Sequence, residues 1–287
     1  MGGPAWPFQS HSQSVRLNHL RNALLYGSVN DLKGILLGTF VVAMCNVPSP
    51  ATTIVLVRTP EHIVVAADSL WLRSTDWHHY FRHTACKIGR VADIYFVVST
   101  VDADAMQVQA LARRSIRESA SVFESARNFS LMVDEIAKRS ADHEVQSNIE
   151  MCRRKICTEV AFFGIERGVP VIASLKIEQI GGTRESLKLL PHKYLCPGNC
   201  DRRRKSVWIV GRSKHIIHEL QTHPRFVRWY YDLDAARALV KLEAAANPDY
   251  VGGPIDVLTL NSSGAHWASV EGGTCSAGEI TPPQGNR

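Results

Sequence analysis

Two apolar runs dominate the hydrophobic pattern of the chain. Residues 54–57 read Ile-Val-Leu-Val and residues 63–67 read Ile-Val-Val-Ala-Ala, with Arg58-Thr59-Pro60-Glu61-His62 between them. β-Branched residues fill both runs and Pro60 interrupts the polar insert, which predicts a β-hairpin. Period-2 alternation is weak, so the strands are expected to be buried on both faces. An antiparallel hairpin sets the start of its first strand beside the end of its second. Thr52-Thr53 and Asp68-Ser69 therefore meet at one sheet edge, with Thr52 expected next to Asp68.

The pattern continues in pairs of like elements. Residues 71–83, aromatic and His-rich, read as a polar loop, and no carboxylate spacing makes His78, His79 and His83 a metal site. Residues 87–91 and 94–99 are expected as strands turned by Ala92-Asp93. Residues 101–123 read as one helix, with Ala105, Val108, Leu111, Ala112, Ile116 and Ala120 near helical spacing. Asp102 and Asp104 lie in its first turn, where they complement the helix dipole. Asn128 or Ser130 is expected to cap a second helix running to about residue 143.

Residues 156–165 and 169–177 predict a long hairpin around Glu166-Arg167-Gly168, and residues 186–204 are basic and too poorly patterned to predict an element. A strand at 206–210 ends at Gly211-Arg212-Ser213, before a helix through about 221. Residues 232–246 form an amphipathic helix with Leu233, Ala236, Leu239, Val240 and Ala244 inside. Residues 254–261 and 265–270 are the last strands. Helices in consecutive pairs do not alternate as βαβ units, so they must cover the outer faces of two stacked antiparallel sheets. The expected fold is α+β, a four-layer αββα sandwich over residues 52–271, with a leader at 1–51 and a loose Gly/Pro-rich tail at 272–287.

Composition changes the picture mainly at the leader. Of the net charge of +6, residues 1–51 carry +2 (Arg16, Arg21 and Lys33 against Asp31), which leaves +4 for the rest. That excess is too mild to imply nucleic acid. Arg202-Arg203-Arg204-Lys205 reads as a solvated loop, since no aromatic platform accompanies it. The apolar run 34–45 is too short to span a bilayer comfortably. With Lys33 before it and Ser49-Pro50-Ala51 after it, it has the form of a secretory signal. The implied cut lies between Ala51 and Thr52, giving an exported protein with no membrane attachment after processing. A buried helix, a self-cleaved pro-segment and a lipoprotein start at Cys45 remain as other readings of the same stretch.

Six cysteines follow the cut, at 86, 152, 157, 196, 200 and 275. An even number in an oxidising compartment favours disulfides, with Cys196–Cys200 or Cys152–Cys157 pairing locally or with each other. A four-cysteine zinc site from the same four residues is the other reading.

These residues carry a resemblance. T-T-I-V followed by A-A-D-S, with Asp68 sixteen residues after Thr52, resembles the start of a proteasome β-type subunit, a family of N-terminal-nucleophile hydrolases. Lys87 in C-K-I-G-R-V resembles that family's active-site lysine strand. Thr100-Val101-Asp102-Ala103-Asp104-Ala105 resembles its helix opening, and Gly252-Gly253-Pro254-Ile255-Asp256-Val257 a strand near its end. The order of the four matches, over residues 52 to about 267, implies the αββα fold. The resemblance also implies Thr52 as nucleophile, and Thr100, Ser213 and Asp249 as oxyanion or supporting positions. The pattern differs at named points. Thr100 stands where the family has Gly, Arg212 stands where the Gly-Ser-Gly turn has Ser, and Val251 precedes Gly252 where the family has Ser.

The chemistry has its own logic. A threonine hydroxyl needs a base, and an N-terminal threonine carries one in its α-amine, of pKa about 8. A cation at Lys87 would keep that amine neutral, and Asp68 would hold the lysine. The expected activity is hydrolysis of peptide or other amide bonds, without cofactor or metal, by a zymogen that acts once Thr52 is freed. A catalytically silent scaffold, working as a binding or assembly subunit, is the alternative, and assembly into a homo-oligomer stays open.

Overall fold

The computed structural model describes residues 52–74, 80–100, 105–142, 156–180, 188–226, 231–267 and Cys275. The cut at Ala51, the run 34–45, Cys45, His78, His79 and Cys152 lie outside them.

The central hairpin is β1 (Thr53–Arg58) and β2 (His62–Asp68). Every residue of β1 is buried, as are Ile63 to Asp68 of β2, so both faces of the hairpin are covered. Thr59 builds the turn: its hydroxyl oxygen accepts from the Glu61 and His62 amides at 3.2 and 3.0 Å. The register pairs Ile54 with Ala67 and Arg58 with Ile63.

The remaining elements are β3 (Leu70–Ser74), β4 (Tyr80–Thr84), β5 (Ile88–Val91), β6 (Ile94–Thr100), α1 (Ala105–Arg117) and α2 (Val122–Asp142). They continue as β7 (Ile156–Glu166), β8 (Val169–Ile180), β9 (Lys188–Cys196), β10 (Ser206–Gly211), α3 (Lys214–Thr222), α4 (Asp232–Ala246), β11 (Ile255–Asn261) and β12 (Gly264–Trp267). The fold is mixed α+β with antiparallel sheets and, among the described residues, four helices. One five-stranded sheet has the order β10-β1-β2-β11-β12 and the other β5-β6-β7-β8-β9, while β3 and β4 form a separate pair.

Three apolar clusters bind these elements. Ile54, Leu56 and Val65 of the first sheet pack against Val97, Phe163 and Ile172 of the second. The other side of the second sheet, with Phe96, Phe162 and Leu175, packs against Val108, Ile116 and Phe129 of α1 and α2. The other side of the first sheet, with Val55, Val57 and Val257, packs against Ile216 of α3 and Leu239 and Val240 of α4. Each fully buried aliphatic or aromatic side chain here contributes about 1.5–3 kcal/mol.

Three expectations are corrected. Residues 71–83 are not simply a loop: β3 and β4 pair with Leu70 opposite Thr84 and Trp71 opposite His83. Leu70 and Leu72 are buried and Trp71 between them is half-buried, a period-2 signal hidden by the polar residues that follow. The boundary between the two expected helices is shifted: the first ends at Arg117 rather than near 123, the second begins at Val122 rather than at Asn128 or Ser130, and residues 101–104, with Asp102 and Asp104, lie outside the described residues. Ser121 accepts from the Glu124 amide and Glu124 reaches back to the Ala120 amide, a close variant of the capping box, so α2 begins at Val122. Asn128 lies inside α2, where its side-chain amide donates to the Glu118 carbonyl just past the end of α1. Finally, the basic stretch 186–204 contains β9, which pairs along β8 from Ile172↔Cys196 to Ile180↔Lys188. Pro191 obscured it, and β9 is an edge strand, where proline is tolerated.

Candidate active site

β1 starts and β2 ends at the same edge, as antiparallel pairing demands, and β11 closes the other side of β2 with Ile255 opposite Asp68. Asp68 is therefore a fully buried carboxylate at a strand end. Its Oδ1 accepts from the Thr53 amide at 2.7 Å. Its Oδ2 accepts from Lys87 Nζ at 2.9 Å and from the Gly252 amide at 3.2 Å. The partner of Asp68 on β1 is thus the amide of Thr53, one residue beyond the threonine singled out from the sequence.

Lys87 sits on the short connector between β4 and β5 and is buried there. Its side chain is 1 % exposed and that of Asp68 0 %. The connector is fixed on both sides. The Ala85 amide donates to the Ser69 carbonyl at 2.9 Å, and Cys86 is disulfide-bonded to Cys275. Burial pushes the Lys87 ammonium down from its ordinary pKa, against the pull of Asp68. Burial also pushes the Asp68 carboxyl up, opposed by Lys87 and the two backbone amides. The two groups are thereby drawn toward each other in proton affinity.

Thr52 is buried. Its carbonyl accepts from the Arg212 amide at 2.8 Å, and the Thr53 hydroxyl donates to the Arg212 carbonyl at 2.9 Å. The peptide group between Thr52 and Thr53 is therefore held at both ends, at its oxygen by Arg212 and at its N–H by Asp68. Gly211 makes this approach feasible. Its φ is +91°, and a Cβ there would lie 2.2 Å from the Thr52 carbonyl oxygen and 2.8 Å from Ser99 Oγ. Gly253 plays a similar part at φ +73°, where a Cβ would lie 2.6 Å from Ser69 Oγ.

The other residues named from the sequence are placed differently. The Thr100 hydroxyl shares a hydrogen bond with the Thr158 hydroxyl at 3.0 Å. Ser213 stands at the N-cap of α3 without a side-chain capping bond. The Asp249 side chain is 84 % exposed and faces Arg82 at 3.8 Å, away from the buried pair. Val251 is buried and supplies no hydroxyl there. Arg212, in the serine place of the turn, lays its guanidinium over the Tyr250 ring at 4.0 Å. Cys196 is disulfide-bonded to Cys200, the local pairing expected of these two, and the described residues hold no cluster of three or more metal-ligating side chains.

Sequence reasoning passed over Ser99 and Glu159. Ser69 and Ser99 are buried with hydroxyls that have no partner among the described residues. Glu159 lies in the apolar stretch of β7, where a lone acidic residue was the available signal. No family model matches the chain, and no curated protein matches it. Among the described residues no helix is long and apolar enough to cross a membrane.

Proposed function

We propose that this chain is a threonine-type amide hydrolase of the N-terminal-nucleophile class, with the four-layer αββα architecture of that class. It is made as a precursor for export and activated by removal of residues 1–51. The observation that carries the reading is the buried Asp68–Lys87 ion pair at 2.9 Å, whose carboxylate also fixes the Thr53 amide. A buried ion pair is a weak device for stability alone, because desolvation offsets the attraction. Perturbed pairs of this kind concentrate at reactive sites. The bridges Cys86–Cys275 and Cys196–Cys200 fit an oxidising destination.

In the mature chain the Thr52 amine takes the hydroxyl proton as Oγ attacks the carbonyl carbon of a peptide or other amide. The C–N bond breaks as that proton passes to the leaving amine, and an ester to Thr52 remains. Water, with its proton taken by the same amine, cleaves the ester and restores the hydroxyl. Lys87, held by Asp68, keeps the amine neutral at working pH.

A silent scaffold of the same fold is favoured by two observations, the exposed Asp249 carboxylate and the apolar Val251 beside Gly252. Amino-terminal sequencing of the mature protein, followed by labelling with a β-lactone and peptide mapping, separates the readings. A start at Thr52 and label on Thr52 are expected. A stable product that keeps residues 34–51, or a mature chain that never labels, ends the hydrolase reading.

A further inference from the structure

A second carboxylate reaches the same strand end from the opposite sheet. Glu159 lies on β7, in register with Ser99 of β6 and Lys176 of β8. Its Oε2 accepts from the Gly211 amide at 2.7 Å, and its Oε1 pairs with Lys176 Nζ at 3.4 Å. Its side chain is 13 % exposed. Gly211 closes β10 in the other sheet, so this charge-assisted hydrogen bond spans the two sheets where β1 begins.

The geometry points to Glu159 as a positioning residue for Thr52. The chain of contacts is continuous. Glu159 fixes the Gly211 amide, and the next residue, Arg212, holds the Thr52 carbonyl and the Thr53 hydroxyl. Once residues 1–51 are removed, Thr52 is a chain terminus, and termini fray unless tied down. The Thr52–Thr53 peptide group is then the only covalent hold on the nucleophile. Asp68 fixes its N–H side. Glu159 fixes its carbonyl side through a glycine whose positive φ lets the turn pivot. Glu159 touches no reacting atom. It sets where Thr52 Oγ and the Thr52 amine stand, so it acts on the rate of the bound complex more than on substrate affinity.

This inference rests on Thr52 being the nucleophile, so its test carries a readout that needs no activity. The mature protein is compared with Glu159→Ala and Glu159→Gln by amide hydrogen exchange and by hydrolysis of an amide substrate. Gly211 loses its acceptor in the alanine variant and exchanges faster under any account. The deciding amides are Arg212 and Thr53, which keep their own acceptors. Loss of the clamp should speed their exchange about tenfold or more, while exchange in α4 stays unchanged. kcat should fall about tenfold or more with KM nearly constant, and the glutamine variant, which keeps an acceptor oxygen, should recover most of both. If Arg212 and Thr53 exchange as in the wild type, the positioning role is overturned. If the wild type never labels at Thr52, the hydrolase reading falls while the same two amides still decide whether Glu159 clamps this strand end.

Discussion

A buried cation lies near each end of β1, Arg58 of the strand itself and Lys87 of the β4–β5 connector, and the two are held in different ways. At its start, Lys87 meets the carboxylate of Asp68 at 2.9 Å. At its end, the side chain of Arg58 is solvated by backbone oxygens: Nε donates to Pro170 at 3.1 Å and Nη1 to Asp201 and Arg202 at 3.3 and 3.2 Å. Burial lowers the pKa of Arg58, as it does that of Lys87. A guanidinium begins so far above neutrality that it stays charged. Carbonyls cannot exchange a proton with it, so this end of the strand is an electrostatic rivet. At the other end both partners titrate and burial draws their proton affinities together. The two ends of one strand thus meet a structural cation and a cation poised for chemistry, and the nature of the acceptors separates them.

Activity should break the symmetry most sharply. Thr52→Ala removes the attacking oxygen and should lower kcat/KM by about 10³-fold or more, and Lys87→Ala by about 10²-fold or more, while Thr52→Ser retains part of the rate. Arg58→Met should leave the rate within about threefold. Steady-state kinetics on folded variants decide this, and an Arg58 variant as impaired as Lys87→Ala would erase the distinction.

Stability follows. Asp68→Ala strands a buried ammonium and frees the Thr53 and Gly252 amides, which should cost about 3–5 kcal/mol in denaturant unfolding. Asp68→Asn should cost less, since it still accepts from backbone. Opening the Cys86–Cys275 bridge, which closes a sequence separation of 189 residues, should cost about 2–4 kcal/mol by the same measurement. Because Cys86 precedes Lys87, Cys86→Ser should also slow hydrolysis, whereas Cys200→Ser should not. Arg58→Met leaves three carbonyls without their donor and should cost about 1–3 kcal/mol.

The smallest effect is the dependence on pH, which is expected at the Lys87–Asp68 end and not at the Arg58 end. Lys87 is lowered in the folded protein, so between that value and its ordinary one the unfolded chain binds more protons and stability rises with pH. Asp68 is raised, so above its ordinary value and up to the folded one the folded chain binds more protons and stability falls as pH climbs. The difference between wild type and Lys87→Met/Asp68→Leu should therefore fall with rising pH on the acid side and climb on the alkaline side. Neither slope should exceed about 1.4 kcal/mol per pH unit. The difference between wild type and Arg58→Met should be flat from about pH 4 to 10, because Arg58 keeps its charge throughout. A slope in that second comparison would show Arg58 linked to a titrating neighbour.

Much of this was written locally. The β1–β2 hairpin follows from two β-branched runs around Pro60, and α4 from the spacing of Leu233, Ala236, Leu239 and Val240, with its observed bounds matching those expected. Such elements are legible because one segment holds the whole signal. The meeting of the first threonines with Asp68 follows from hairpin geometry alone. Tertiary structure decided that the amide involved is that of Thr53, because the register Ile54↔Ala67 sets Thr53 across from Asp68. It also decided that Pro191 lies on an edge strand, that Cys86 finds Cys275, and that Glu159 reaches Gly211 across the two sheets. These features join residues far apart in the chain, and they depend on how the sheets stack, a property that no local run of side chains encodes.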